Sequence, residues 1–257
     1  MDARTQATPD LAQAGGKVST AWAESHATPE RWRLPIPKYL ADVYTWAYVS
    51  PKANWTFDRQ WVVSQILWYQ DRALMRSALS EVRQGDRVYM PASVYGILCR
   101  DLSLKAGPTG QVTISDIAWG QLRILKRKRK RFGLSNLHIF RANAAAPIPG
   151  PYDTVLCFLL LHEIPEDYKV EIINALLDQV DEGGKVVFIE YHKMKKWNPL
   201  WPIMAFVAWS LEPYTFALWH NEITDYATPD RREKFTWTKT VTFGGLYQKV
   251  VGVRKKA

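Results

Sequence analysis

Short apolar runs alternate with amphipathic stretches of helical length between residues 87 and 191, and this alternation constrains the fold more than any other feature of the chain. Strands that alternate with helices predict an α/β protein with a parallel, doubly wound sheet and right-handed crossovers. The expected strands lie at 87–91, 111–115, 137–141, 152–160 and 185–191. The expected helices lie at 93–104, 117–130 and 165–180.

Two more strand-like runs, 234–241 and 246–253, follow near the end of the chain. They are joined by Phe243-Gly244-Gly245, a typical turn sequence. We expect an antiparallel pair at the sheet edge, which brings the sheet to seven strands.

The chain before the first strand has a different pattern. Residues 1–28 are expected to form a disordered lead-in, and their acids Asp2 and Asp10 argue against a secretory signal or an organellar transit peptide. Residues 29–82 are expected to form a helical cap, because apolar residues recur at helical spacing over 58–79. The catalytic domain is then 83–257, with a lid insertion at 197–230. The cap carries four tryptophans: Trp46, Trp55, Trp61 and Trp68.

Charge and cysteine content narrow the class of partner. Thirty-four Lys and Arg against 25 Asp and Glu give a net charge of +9, which makes anionic lipid, nucleic acid or a negatively charged substrate candidate partners. The two cysteines, Cys99 and Cys157, lie in apolar runs. They exclude a disulfide framework and a Cys-type zinc site, and they are typical of a reducing compartment.

Ligands of open parallel sheets bind beyond the carboxyl ends of the strands. An acid at the end of the second strand commonly accepts the two hydroxyls of a ribose, so Asp116 indicates an adenosine-type ligand. Capping of the next helix is the alternative role of Asp116. The first loop, 88–96, is unusual for such a ligand because Gly96 is its only glycine.

Several stretches together resemble the class I S-adenosylmethionine-dependent methyltransferase-like superfamily, in the branch that acts on quinones. They are SDIA, FLLLHEIPEDYKVEIINALLDQVDEGGKVVFIEYH and FGGLYQKVVGVRK. Others are similar to the RquA family, which makes rhodoquinone from ubiquinone: DVYTWAYVSPKANWTFDRQWVVSQILW, VYMPASVYG, LLLHEIPE, EYHK and NPLWPIMAFVAWSLEP. The stretches cover most of residues 35–253.

The resemblance implies a Rossmann-like enzyme that uses S-adenosylmethionine as an amino donor. It would replace a methoxy group of ubiquinone with an amino group, with manganese (Mn²⁺) as the metal. Met90 stands where ordinary methyltransferases carry an acid, and Ala92 and Val94 stand where they carry glycines. This departure is consistent with a cofactor held in an altered pose.

The cofactor-binding residues that follow from strand ends and resemblance are Met90, Ala92, Tyr95, Gly96, Asp116, Ile117, Asn143, Ala144 and Phe158. Asn143 stands where many relatives carry an acid that contacts adenine, and a turn-forming Asn is the alternative. Tyr95 lies inside the cofactor loop, and ordinary packing is its alternative role.

Two histidines and two acids end the fourth and fifth strands, which we expect to be neighbours. Imidazole with carboxylate suits a divalent ion such as manganese, and zinc or iron are alternatives. We expect His162, Glu163, Glu190 and His192 to hold the metal, although a single histidine often has a structural role. The expected catalytic residues are His162, His192, Tyr95 and Glu190.

A membrane surface is the expected partner beside ubiquinone. The basic run 126–131 ends a predicted helix, where it is either solvated or binds anionic lipid, and we rank lipid above nucleic acid. The proline-broken apolar segment 197–219 is either a buried helix pair or a lid at the membrane interface. We expect a protein of the cytoplasm, peripherally bound to the inner membrane in a bacterium or to the matrix side in an organelle.

The sequence therefore predicts an enzyme that converts ubiquinone to rhodoquinone. One alternative is a conventional S-adenosylmethionine-dependent methyltransferase that acts on a quinone or another hydrophobic small molecule. Another is a basic binding protein that kept the fold and lost catalysis. The residues His162, Glu190 and His192 at strand ends argue against loss of catalysis.

Overall fold

The computed structural model describes residues 34–38, 40, 59–210 and 213–256. The expectations for residues 1–28, and the tryptophans Trp46 and Trp55, lie outside the described residues.

A seven-stranded sheet in the order β3-β2-β1-β4-β5-β7-β6 forms the centre of the fold. Strands β1 to β5 pair in parallel, and β7 pairs antiparallel with both β5 and β6. This arrangement confirms the predicted fold class, including the antiparallel pair at the edge. The strands are β1 Arg87–Met90, β2 Gln111–Asp116, β3 Leu137–Arg141, β4 Tyr152–Phe158, β5 Val180–Tyr191, β6 Phe235–Thr242 and β7 Tyr247–Arg254.

Helices cover both faces of the sheet, so the central strands are buried on both sides. Every residue of β2 is buried, although four of its six side chains are polar: Gln111, Thr113, Ser115 and Asp116. The helices are α1 Gln60–Ile66, α2 Asp71–Leu79, α3 Leu98–Ala106, α4 Trp119–Phe132, α5 Glu166–Asp178, α6 Trp201–Ser210, α7 Ala217–His220 and α8 Pro229–Arg232. Single 3₁₀ turns lie at Leu161–Glu163, Pro213–Phe216, Ile223–Tyr226 and Phe243–Gly245.

Two helices differ from their predicted bounds. The helix expected over 58–79 is divided into α1 and α2, because Trp68 and Tyr69 adopt positive φ angles of 52° and 58° that a right-handed helix does not contain. The helix expected from residue 93 begins only at Leu98, because Gly96 has a φ of +85° and the chain before it forms a loop. That loop, 91–97, follows β1 at the edge where a ligand would bind.

Helix α6 contacts the turn between α1 and α2. The Trp68 indole N–H donates to Sδ of Met204 in α6 at 3.0 Å. The 3₁₀ turn at Pro213–Phe216 packs against the one at Leu161–Glu163. No helix in the part of the chain that the structure describes is long and apolar enough to cross a membrane.

Candidate functional site

A cavity of about 230 Å³ opens beyond the carboxyl ends of the parallel strands. The loops after these strands form its walls, and α1 and α2 close one side. The cavity brings together most of the residues that the sequence assigned to cofactor binding and catalysis. Those in its lining are Ala92, Tyr95, Asp116, Ile117, Asn143, Ala144, Phe158, His162 and Glu163.

Four of the assigned residues are not part of this lining: Met90, Gly96, Glu190 and His192. Met90 is 1% exposed and belongs to the hydrophobic core. A side chain in the core contributes packing, so any contact of Met90 with a ligand would use its backbone. Gly96 and Glu190 lie behind the residues that line the cavity, and their contacts are described below.

Gly96 fixes the shape of the loop 91–97. A Cβ atom built on Gly96 would lie 2.6 Å from Oε1 of Gln60, and the positive φ angle disfavours any other residue. The carbonyl of Gly96 accepts a hydrogen bond from Nζ of Lys128 in α4. The loop therefore has few glycines but is clamped from the helix beside it.

Lys128 corrects the interpretation of the basic run. The run 126–131 was predicted to be a solvated or lipid-facing helix end, but Lys128 is only 8% exposed. It lies on the same helical face as Ile124 and Leu125, which pack in the core. The other five residues of the run are exposed. One cation of the run thus stabilises the loop, and the prediction was wrong at this position.

Asp116 lies at the end of β2 and has two backbone partners. Its Oδ2 accepts from Ser93 N–H at 2.9 Å, and its Oδ1 accepts from Ala118 N–H at 2.7 Å. Burial raises the pKa of this carboxyl to about 7, although these hydrogen bonds oppose the rise. A carboxylate offers about four lone-pair positions, so Asp116 keeps acceptor capacity on the cavity side. Its loop-fixing role is shown, and ribose binding stays a prediction.

Asn143 forms a turn after β3. Its Oδ1 accepts from the backbone N–H of Ala145 at 3.1 Å, which closes an Asx turn. The alternative that the sequence left open is therefore realised. Asn143 still lines the cavity, and its contact with adenine stays a prediction.

His162 and Glu190 form a buried pair between the ends of β4 and β5. Nδ1 of His162 lies 2.7 Å from Oε1 of Glu190, and Oε2 of Glu190 accepts from Leu161 N–H at 2.7 Å. The ring of Tyr191 packs edge-on against the imidazole, with centroids 4.7 Å apart. An ionised carboxylate only accepts hydrogen bonds, so Glu190 fixes the tautomer with Nδ1–H and leaves the lone pair on Nε2. This arrangement suits a general base that is held in one orientation.

Lys169 of α5 is a further charged group behind this pair. It is fully buried, and its Nζ donates to the carbonyl of Tyr214 at 2.8 Å. Burial lowers the pKa of Lys169 to about 8, while attraction to Glu190 and Glu166 opposes that shift. No pattern in the sequence points to this residue, because a lysine in an amphipathic helix is ordinarily on the solvated face.

His192 lies apart from the other three residues of the predicted metal set. Its Nδ1 lies 3.0 Å from the carbonyl of Gly245, and its Nε2 lies 3.1 Å from Nζ of Lys239. These are partners in the β6–β7 hairpin, and burial lowers the pKa of this imidazole. The predicted set does not assemble because the chain leaves β5 at Tyr191 and turns toward the hairpin.

The donor atoms do not fit a protein-enclosed metal centre. Within residues 34–38, 40, 59–210 and 213–256, no group of three or more His, Cys, Asp and Glu side chains is arranged to hold an ion. Nε2 of His162 and Oε1 of Glu163 are 3.9 Å apart, and both residues line the cavity. Glu190 is occupied by His162 Nδ1 and two backbone amides. The site thus offers an ion two donors, fewer than a resident manganese requires.

The sequence analysis missed two polar residues of the cavity wall, Gln60 and Asp71, which come from the cap helices. Asp71 is 3% exposed, and the amide nitrogen of Gln60 donates to its Oδ2. The sequence did contain a signal for Asp71. It is an acid within a tryptophan-rich segment whose apolar face must be buried, and acids are uncommon on such a face. Helices α1 and α2 therefore contribute polar groups to the cavity wall in addition to closing one side of it.

No model of a known protein family matches the chain. Curated relatives are similar over part of it. The ubiquinone/menaquinone biosynthesis C-methyltransferase UbiE of Pseudomonas aeruginosa is 29% identical over 143 residues, which are 54% of this chain and 52% of that protein. UbiE of Pseudomonas fluorescens is 28% identical over 142 residues, with the same shares of the two chains. The chain thus spans about half the length of the curated relatives it matches.

Solved structures are similar over most of the described fold. The methyltransferase SibL superimposes with a TM-score of 0.59 at 19% identity, over 93% of this chain and 71% of that one. The mitomycin 7-O-methyltransferase MmcR gives a TM-score of 0.59 at 15% identity, over 82% and 60%. A methyltransferase from Aquifex aeolicus gives 0.53 at 12% identity, over 80% and 98%. By its fold, the chain is similar to these methyltransferases.

Proposed function

We propose that this chain is an S-adenosylmethionine-dependent enzyme of quinone metabolism that converts ubiquinone to rhodoquinone. S-adenosylmethionine supplies the amino group that replaces a ring methoxy group. The observation that carries the proposal is that Asp116 and the buried His162–Glu190 pair meet at the same cavity. The partial similarity to UbiE supports a quinone as the substrate class.

The cofactor would lie across the ends of β1 and β2. Asp116 would accept the ribose hydroxyls, and the loop after β3 with Asn143 and Ala144 would border adenine. Loop 91–97, clamped by Lys128 and Asp116, would lie against the amino-acid part of the cofactor. The reactive end would then face His162.

The chemistry assigned to the chain is proton transfer at His162. The nitrogen lone pair attacks the ring carbon that carries the methoxy group, and an electron pair moves onto the quinone carbonyl oxygen. Its return expels methoxide. Nε2 of His162 takes the proton from the attacking nitrogen and passes it to methoxide, which leaves as methanol. The bond between the nitrogen and the cofactor's α-carbon would then break by elimination. Its electron pair would go to the nitrogen, which takes up a proton, and a proton would leave the neighbouring carbon, so that the amino-acid end of the cofactor departs as an unsaturated carboxylate.

Manganese enters this proposal from the family resemblance, and no step above depends on it. When bound, such an ion would polarise a quinone carbonyl. Glu163 is the side chain that would hold it, because the Nε2 lone pair of His162 beside it is assigned to the proton transfer. Its other ligands would come from bound molecules.

The membrane surface also belongs to the proposal, because a polyprenyl quinone resides in the bilayer. Helix α6 exposes aromatic side chains, and Trp197 just before it is 72% exposed. Lys193, Lys195 and Lys196 are exposed beside it, so an apolar face and a basic edge occur together. This combination is typical of a protein that lies peripherally on anionic lipid, here the inner membrane of a bacterium or the matrix side of an organelle.

A conventional quinone methyltransferase is the second candidate. The similarity to a C-methyltransferase favours it, and His162 could equally remove a proton from a methylated ring carbon. The two functions give different products from the same cofactor.

Product analysis tests the proposal. The protein is incubated without oxygen with short-tailed ubiquinone, manganese and S-adenosylmethionine that carries ¹⁵N in its amino group. We expect a quinone that has lost methoxy and gained the labelled nitrogen. Glu190→Gln should lower its yield, and Glu182→Gln, an exposed acid, should leave it unchanged. In a parallel incubation with a short-tailed quinone that has an unsubstituted ring carbon, which ubiquinone lacks, a product heavier by one methylene group would establish the methyltransferase instead. Full yield with a chelator would remove manganese from the proposal.

A further inference from the structure

Asp71 and Gln60 place two oxygen acceptors in the cavity wall formed by the cap. Asp71 begins α2 and is 3% exposed, so its carboxylate has lost most of its water. Nε2 of Gln60 donates to Oδ2 of Asp71, which leaves Oε1 of Gln60 directed elsewhere. Both residues line the cavity. The wall is therefore electronegative at this point.

The second acceptor has no donor among the residues that the structure describes. Oε1 of Gln60 is buried and makes no hydrogen bond there. It abuts loop 91–97, since a Cβ atom on Gly96 would lie 2.6 Å from it. A buried amide oxygen without a donor is unfavourable, so such an atom beside a cavity indicates a ligand that donates.

The negative charge of Asp71 also has no opposite charge paired with it within the described part of the chain. No lysine, arginine or histidine there forms an ion pair with Asp71. A buried carboxylate is stable when a cation pairs with it. The expected ligand group is thus both cationic and a hydrogen-bond donor, which describes an ammonium and excludes a sulfonium.

Asp71 and Gln60 lie where the amino-acid end of the proposed cofactor would reach. Asp116 lies on β2, whereas the cap segment that leads into Asp71 lies on the other side of β1, where the hydroxyl of Tyr247 in β7 donates to the carbonyl of Leu67 at 3.2 Å. Loop 91–97 lies between the two acids. A nucleoside held at Asp116 therefore extends its amino-acid end toward the cap.

We propose that Asp71 and Oε1 of Gln60 bind the ammonium group of the amino-acid end of S-adenosylmethionine. This inference rests on the cofactor assigned under the proposed function. In the amino transfer, the bound nitrogen is the transferred atom, so Asp71 is the residue that positions it.

Calorimetric titration with three unreactive probes tests the inference. S-adenosylhomocysteine carries amine and carboxylate, its decarboxylated analogue carries the amine alone, and methylthioadenosine carries neither. Asp71→Asn should weaken both amine-containing probes about 10- to 100-fold, as expected for loss of a charged hydrogen bond, and should leave methylthioadenosine unchanged. Asp167→Asn, an exposed acid of α5, is the matched control and should change none of them.

Gln60→Met is the second variant, because it removes the unpartnered oxygen and leaves the carboxylate. It should weaken the same two probes by a smaller factor. Equal weakening of all three probes, or no change in any, would overturn the ammonium site and leave the proposed function in place. If the unmodified protein binds no adenosine probe, the proposed cofactor fails and this inference fails with it.

Discussion

The His162–Glu190 pair illustrates what one buried contact does at the residue scale. Glu190 does not line the cavity, yet it accepts from two backbone amides as well as facing Nδ1 of His162. It thereby fixes the imidazole and the end of β5 relative to each other. In the proposed reaction, Glu190 is a positioning residue and His162 would be the group that meets the substrate.

Replacing His162 tests this division of roles. His162→Ala should lower turnover about 100- to 10,000-fold, since it removes the general base. Cofactor affinity should stay within about twofold, because the lost interaction belongs to the transition state. Steady-state kinetics and calorimetry measure the two effects, with His220→Ala at an exposed histidine as control. Equal loss of affinity and turnover would mean that His162 holds the cofactor.

Asp116 gives a prediction on pH. Burial raises its pKa to about 7, and the ionised form is the one that accepts two ribose hydroxyls. S-adenosylhomocysteine affinity should therefore rise as the pH increases from about 6 to about 8. In Asp116→Asn the affinity should be about 10- to 100-fold lower and independent of this carboxyl's titration. A variant that keeps the pH profile of the unmodified protein would remove Asp116 from the ribose site.

At the scale of elements, the clamp between α4 and loop 91–97 is a specific device. The loop lacks the glycines that usually let a backbone approach a nucleotide. Nζ of Lys128 in α4 donates a hydrogen bond to the carbonyl of Gly96 in this loop. We expect Lys128→Met to destabilise the fold by about 1 to 3 kcal/mol, because it leaves a buried carbonyl without its donor. Cofactor affinity should fall as well. Urea unfolding and calorimetry measure both, and Lys130→Met at an exposed position of the same helix should change neither.

Helix α6 is the element that the membrane proposal depends on. Phe206 and Trp209 are 63% and 72% exposed, and no charged residue interrupts the helix. The double variant Phe206→Ser, Trp209→Ser should lower the fraction of protein that sediments with anionic vesicles about tenfold or more. Val241→Ser, which changes an exposed apolar residue of β6, is the control.

Salt separates the two contributions to vesicle binding. Added salt should weaken the binding of the unmodified protein without abolishing it, because the lysine contribution is screened and the apolar contribution is not. Equal sedimentation of the double variant and the unmodified protein would show that α6 does not contact lipid.

At the scale of the whole molecule, Lys169 connects three parts of the fold. It belongs to α5, it holds the carbonyl of Tyr214 in the segment after α6, and it interacts with Glu190 beside the cavity. Burial lowers its pKa from 10.5 to about 8, so between these values the unfolded chain binds more protons than the folded one. Stability should therefore rise with pH across this window.

The variant Lys169→Met should lack that part of the rise. Urea unfolding of both proteins, measured across the same window, gives the difference directly, and titration of tyrosines cancels between them. Parallel stability profiles would show that Lys169 titrates as an ordinary exposed lysine.

The α/β fold, the seven strands and the antiparallel edge pair are predictable from the amino-acid pattern alone. Buried parallel strands must be continuous apolar runs, and crossover helices must separate them, so the pattern leaves few alternatives. It also indicated the part of the cavity lining that lies at strand ends, because the loops there converge on one edge of the sheet.

The contacts between polar groups, in contrast, depend on long-range packing and are visible only in the folded structure. His192 and Glu190 are two residues apart, yet one turns to the hairpin and the other pairs with His162. Asp71 and Gln60 reach the cavity because positive φ angles at Trp68 and Tyr69 divide the cap helix. Lys128 and Lys169 are buried against distant carbonyls. Such contacts depend on the path of the chain and on long-range packing, and local periodicity carries no information about either.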